Sequence, residues 1–325
     1  MHTRQLMGLM FIAALVSACG SGKPGAAAPG RGMAGSDASG QDSGNATAEQ
    51  VAAAARGDVS CPADTTPAPS GAPVDDIVGV RPGMTYEQAA NTVMCSSPLL
   101  VVQPETGRGF DMQTYGQTIR QGFSARFAEP RVQKTGRQLA QEMEQAAMER
   151  GLNVARHDMQ PGQSKWFVGT MGMPGQEKVI SAARDQWFDE GRNPTIDSVE
   201  QALLAKYGTP TERRDRDTYH QLRWAHDPRG RLITETSPLY SRCNGAASPD
   251  DGVQLSADCG VVVAATVIPL RSNPALAQDL QVGVVDQAAG YQALTDTQQG
   301  LQAMDAARRA KQVQDASKNA EAPQL

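Results

Sequence analysis

Histidine and aromatic side chains are scarce in this chain: four histidines, three tryptophans, six tyrosines and six phenylalanines in 325 residues. Leaving aside His2, which precedes the first apolar run, the candidates for acid–base or metal chemistry are His157, His220 and His226. His220 and His226 read as lying on or beside one strand. Six positions at about 3.3 Å each put them roughly 20 Å apart, too far to share a metal. His157-Asp158 and His226-Asp227 are neighbours in loop-like or turn-like sequence, the ordinary setting of surface pairs. No G-x-S-x-G, H-E-x-x-H or G-x-x-x-x-G-K-[ST] pattern occurs, and Ser21-Gly22-Lys23 lacks the strand–loop–helix context of a phosphate loop. A Lys/Arg cluster with interleaved aromatics is also missing, and the net charge is −5, which argues against nucleic acid. Arg308-Arg309-Lys311 reads as the solvated side of a late helix.

Long hydrophobic runs are missing too. The first apolar stretch, residues 6–16, is about 11 residues or roughly 16 Å as a helix, where a bilayer span needs about 20. Behind His2 and Arg4 it reads as a secretory signal over residues 1–18. The sequence Val16-Ser17-Ala18-Cys19 that closes it resembles the lipobox of bacterial lipoproteins. That resemblance implies lipidation of Cys19 on sulfur and amine, a periplasmic location and a membrane anchor. Gly20 in place of Asp at the next position implies the outer membrane, by likeness to enteric sorting rules. Acyl chains at about 0.8 kcal/mol per buried CH₂ make such an anchor lasting.

Residues 19–58 are rich in Gly, Ala, Ser and Asp and poor in large apolar side chains, so they read as a flexible tether of roughly 30–40 Å, within which residues 48–56 alone have helical character. Four cysteines follow: Cys61, Cys95, Cys243 and Cys259. In an oxidising compartment an even count reads as disulfides, and three pairings are open. Closeness in sequence favours Cys61–Cys95 and Cys243–Cys259. A Cys₄ zinc site lacks the C-x-x-C spacing. Asp250, Asp251 and Asp258 form a weak candidate for Ca²⁺, against the alternative of a polar turn. No cofactor is called for.

Thr85 with Gln88 makes a capping box for a helix over residues 86–94 that buries Ala89, Ala90 and Val93. Strands are expected at residues 99–103 and 116–127. A helix over 137–150 should turn Leu139, Met143 and Ala146 inward. Residues 165–172 and 177–188 read as a hairpin around Met173-Pro174-Gly175. Thr195 caps a helix burying Ile196, Val199 and Leu203, ended by Gly208 and Pro210. Residues 219–225 and 231–236 flank the turn signal Asp227-Pro228-Arg229-Gly230. Residues 261–269 form a buried strand paired with 280–286. A helix from Tyr291 carries Leu294, Leu301 and Met304, and its last ten or so residues should fray. Trp166, Trp187 and Trp224 fall on strands and read as core. Hairpins interrupted by helices make the fold α+β, with antiparallel sheets, short packed helices and a C-terminal helix.

Ile77-Val78-Gly79-Val80-Arg81-Pro82-Gly83-Met84-Thr85 resembles the opening of the SmpA/OmlA family of small outer-membrane lipoproteins. In that family a Gly-Met-Thr turn starts the first of two helices packed on a three-stranded sheet. The family's Leu-Gly-x-Pro turn is replaced here by Val93-Met94-Cys95-Ser96-Ser97-Pro98. Lys206-Tyr207-Gly208-Thr209-Pro210 gives a second partial echo, without a Gly-Met-Thr start. The resemblance implies two degenerate units or one with an extension: 59–135 as the first, 136–289 as a second α+β region, and 290–325 as C-terminal helix and tail. It carries no catalytic residues and implies a binding surface for protein or lipid. The expectation is a non-catalytic, lipid-anchored interaction module on the periplasmic face of the outer membrane, with envelope proteins as partners. Two alternatives stay open. A periplasmic hydrolase would show a deep polar pocket joining His157 or His220 to carboxylates and serine. An inhibitor-like module of tandem units, as in the β-lactamase-inhibitor proteins, would show a concave sheet face lined with exposed aromatics.

Overall fold

The structure, a computed structural model, describes residues 44–62, 71–107, 109–151, 159–250 and 252–321. Cys19 and most of the expected tether, His157 and Asp251 lie outside them. The first half holds α1 (Ala48–Arg56), α2 (Tyr86–Cys95), β1 (Leu100–Pro104), β2 (Gly122–Phe127), α3 (Gly136–Gly151), β3 (Ser164–Met171) and β4 (Lys178–Trp187). The second holds α4 (Ile196–Tyr207), β5 (Glu212–Arg216), β6 (Tyr219–Ala225), β7 (Val261–Leu270), β8 (Asn273–Asp286) and α5 (Gln287–Asn319). All eight strands form one antiparallel sheet in the order β1-β2-β3-β4-β8-β7-β6-β5. The fold is α+β, with one sheet where several were expected.

That order is two copies of one plan, a helix followed by a four-stranded meander, joined through their last strands. Thr85 caps α2 by accepting from Gln88 N–H, and Thr195 caps α4 by accepting from Ser198 N–H. Val179 N–H donates to Met84 O (2.8 Å) at the start of α2, and Ala277 N–H donates to Pro194 O (2.8 Å) at the start of α4. Thr85 bridges Lys178, and Thr195 bridges Leu276. Each meander carries a bulge one step away, at Gly169/Thr170 opposite Val179 and at Ile268/Pro269 opposite Ala277. Aligned on these contacts, Arg184 of β4 corresponds to Val282 of β8. These two residues are directly paired, so the pseudo-twofold axis passes between them.

Period-two alternation decides the faces. Phe123, Trp166, Val168, Leu222, Trp224 and Val284 share the face that α2 and α4 cover, and they form one core with Ala89, Val93, Val199 and Leu203 of those helices. On the opposite face Ala225, Val262 and Val285 pack with Ile233 and the Cys243–Cys259 disulfide. The chain comes so close there that a Cβ on Gly283 would stand 1.8 Å from Ala247 O. The other disulfide joins Cys61 to Cys95, so both bridges follow the pairing that sequence closeness favoured. No helix among the described residues is long and apolar enough to cross a membrane.

Several expectations need correction. The looseness expected for residues 19–58 does not extend over 48–56. There α1 has its own capping box at Thr47 and Gln50, and Arg56 donates to Met94 O, Ser97 O and Leu100 O. The line expected between 135 and 136 is not a boundary, because β1 and β2 continue into β3 through backbone pairing. The repeated unit has one leading helix and four strands, not two helices and three strands; α3 is an insertion between β2 and β3. Leu139 and Met143 are 52% and 65% exposed, so the stripe on α3 does not face the core. The strand expected at residues 116–127 is confined to Gly122–Phe127. Residues 231–236 form no strand, because β6 already has β5 and β7 on its two edges. Met304 is exposed, and α5 starts at Gln287, before Tyr291, and runs to Asn319; residues 322–325 of the expected frayed end lie outside the described residues.

Candidate functional site

The residues before α2, the later part of β4, α4 and β8 line an open cavity of about 390 Å³ on the helix-covered face. Its walls are mostly apolar: Ile77, Phe188, Val199, Leu203, Leu280 and Val282. The Arg184–Val282 pair on the pseudo-twofold axis lines it, so it opens at the junction of the two units. The volume lies at the lower end of the roughly 300–1,000 Å³ typical of small-molecule sites.

Most polar side chains around this cavity are committed to the protein itself. The Tyr207 hydroxyl donates to Asp76 O at 2.8 Å, Lys206 Nζ donates to Asp76 Oδ2 at 2.8 Å, and the Ser198 hydroxyl donates to Thr195 O at 2.8 Å. Burial, with Asp76 and Asp75 nearby, pushes the Tyr207 hydroxyl well up from its usual value, so it stays a neutral donor. Arg184 differs. Its guanidinium lies 5.6 Å from the Trp166 ring centroid, and its buried Nε has no hydrogen-bond partner. Burial pushes this guanidinium down from its usual value, against the pull of Asp185. Val78, at the rim, is half exposed and holds φ at 47°. For a β-branched residue that is a strained conformation of the kind found at ligand sites.

A second cluster lies between α4 and the outer strands. Glu200, Asp215 and His220 offer ligand atoms within 4.8 Å of one another. His220 Nδ1 stands 3.1 Å from Asp215 Oδ1 and 3.4 Å from Glu200 Oε1. The other oxygens belong to Arg213, which reaches Glu200 Oε2 at 2.8 Å and Asp215 Oδ2 at 2.9 Å. Such a set suits a transition-metal ion by its donor types, yet Arg213 already supplies a positive charge there. Residue by residue in the repeat, Glu200, Arg213 and His220 stand where the first unit has Ala90, Val102 and Phe123. An apolar patch in one copy is thus an ionic one in the other.

The residues singled out from sequence are dispersed. His226 lies at the far end of β6 from His220; its Nδ1 faces Val261 O at 3.2 Å, and burial pushes its imidazole down from the usual value. Asp250 pairs with Lys165 at 2.7 Å and Asp258 with Arg242. Their carboxylates pair with different cations, and Asp251, the third of the set, lies outside the described residues. Trp166 and Trp224 are buried in the helix-covered core, and the aromatics there do not line an open face. Arg184 gave no signal in sequence, since it is one cation in an ordinary strand alternation. Asp215 gave no signal because β5, which brings it to His220, has no apolar residue, and Glu200 is one carboxylate among the polar positions of α4.

No family model matches the chain, and neither do any curated protein or any solved structure.

Proposed function

We propose that this protein is a lipid-anchored, non-catalytic binding module of the bacterial envelope, on the periplasmic face of the outer membrane. The observation that carries the reading is the cavity at the junction of the two units. Its walls are mostly apolar, the buried Nε of Arg184 has no hydrogen-bond partner, and Ser198, Lys206 and Tyr207 each bond within the protein. Such a wall suits retention of a ligand and offers no nucleophile activated by a base. The lipobox-like Val16-Ser17-Ala18-Cys19 supplies the anchor in this reading, and the resemblance of residues 77–85 to SmpA/OmlA openings supports an envelope role. The hydrolase alternative draws less support, because the polar neighbours of His220 among the described residues are carboxylates. The inhibitor-like alternative shares the tandem plan but not the exposed aromatic face.

The test is photo-crosslinking in intact cells from a reactive amino acid at Ala202 in the cavity wall, compared with one at Val313 on exposed α5. A discrete adduct from position 202, absent at 313, in protein that leaves the membrane when Cys19→Ala is added, is the expected result. No adduct at 202, or a Cys19→Ala protein still membrane-bound in high salt, overturns the reading.

A further inference from the structure

We propose that the cavity holds the chain of a single-tailed acyl carboxylate, with its head group on Arg184. The inference rests on the binding-module reading above and names the ligand class. Three observations select it. The first is the guanidinium itself. Its Nε is buried without a hydrogen-bond partner, the Trp166 ring lies 5.6 Å away and Asp185 attracts it electrostatically, so a carboxylate that accepts from the guanidinium relieves an unpaired donor. The second is the supply of hydrogen bonds. The Ser198 and Tyr207 hydroxyls donate within the protein and Lys206 is neutralised by Asp76, so Arg184 is the cation lining the cavity whose donor at Nε has no hydrogen-bond partner. A peptide would bring more amides than these mostly apolar walls can satisfy, at a cost for each unpaired group. A ligand with one polar end and an apolar body leaves nothing unpaired.

The third observation is the distribution of apolar surface. Val282 stands beside Arg184 on the sheet, and Leu280, Phe188, Leu203 and Ile77 line the rest of the cavity. A carboxylate at Arg184 therefore leaves its methylene chain against apolar side chains, at about 0.8 kcal/mol for each CH₂ removed from water. About 390 Å³ leaves room for one tail and not two. A cationic amphiphile of the same length would set like charges together and is excluded. Arginine also matches the carboxylate fork with paired donors, which an ammonium does not.

The experiment uses the full-length anchored protein in nanodiscs of zwitterionic lipid. It is titrated calorimetrically with decanoate, decanol and decyltrimethylammonium, and empty nanodiscs are subtracted. Decanoate should bind saturably, one per protein, and decyltrimethylammonium should not compete. Arg184→Met should weaken decanoate at least tenfold while leaving decanol within about threefold, a split that a general loss of structure would not produce. Ala202→Trp, which adds bulk at the cavity's exposed rim, should weaken both. Equal binding of decanoate by Arg184→Met, competition by the cation, or no saturable binding overturns the proposal. If decanoate fails while Ala202 still crosslinks a partner in cells, the ligand class is wrong and the binding-module reading stands. If both fail, both are wrong.

Discussion

Glu177 shows how one buried carboxylate ties a loop to a helix. It accepts from Arg120 N–H (3.2 Å) and from the Arg120 guanidinium (3.1 Å), which also reaches Glu87 and lies 4.4 Å over Tyr86 of α2. Burial alone would push the Glu177 carboxyl up, but hydrogen bonds from its own backbone and from Arg120 outweigh it and hold the carboxyl below its usual value. A group depressed in this way stabilises fully above its unfolded value, about 4.3, and the contribution is lost as pH falls through the folded value. Glu177→Gln should therefore lower stability by about 1–3 kcal/mol at neutral pH, through weakened charge-assisted bonds. Its urea midpoint should also fall less between pH 6 and pH 3 than that of the parent; parallel pH profiles would remove Glu177 from the acid response. Gly283 is sensitive for a steric reason. A methyl there meets backbone, Ala247 O, and not a side chain that can turn aside. Gly283→Ala should cost about 1–3 kcal/mol by overpacking, read from the same denaturation curves.

At the scale of elements, what holds a segment in place is often a single cross-connection. The Arg56 guanidinium collects three carbonyls from the end of α2 and the start of β1, and so pins α1 to the sheet edge. Arg56→Ala should raise amide exchange across residues 48–56 while leaving α2 protected; unchanged protection of α1 would show that Ala52 packing alone suffices. The Cys243–Cys259 bridge spans 16 positions of an irregular loop, and replacing both cysteines should cost about 3 kcal/mol by loop-closure entropy. Exchange should rise first between 243 and 259. These connections explain which elements could be read from sequence. The helices α2 and α4 and strands β3, β4, β7 and β8 follow from caps, turns and alternation that the core uses directly. The strand β5, Glu-Arg-Arg-Asp-Arg, is invisible to such reasoning. Every side chain is charged, as suits an exposed edge, and backbone pairing with β6 together with ion pairs to Glu200, His220 and Arg223 holds it. The stripe on α3 failed in the opposite direction, because apolar periodicity shows that a helix has a preferred face but not that a neighbour covers it. The cavity was out of reach for the same kind of reason. It exists only where residues before α2, the later part of β4, α4 and β8 meet.

For the whole molecule, the decisive feature is that two like units share one ladder. Residues 181–187 of β4 pair continuously with residues 279–285 of β8, and the Arg184–Val282 pair lies on the axis between the units. Separating the halves would expose two long edges at the centre of the sheet, where Val284 and Ala182 are fully buried. It would also open the cavity that the proposed function requires. Neither half is therefore expected to persist alone, since an unpaired central strand seeks another chain. Residues 71–321 should then unfold as one unit, despite the tandem architecture and a length that often permits intermediates. Trp166 reports on the first half and Trp224 on the second, both from within the common core. In two variants, each keeping one of these two tryptophans with the others replaced by phenylalanine, urea transitions should coincide within error in midpoint and slope. A Trp224 signal lost at lower urea than that of Trp166 would show that the second unit, with its ionic Glu200–Arg213–His220 patch in place of apolar packing, melts by itself. The shared ladder would then be a docking contact between two domains and not the spine of one.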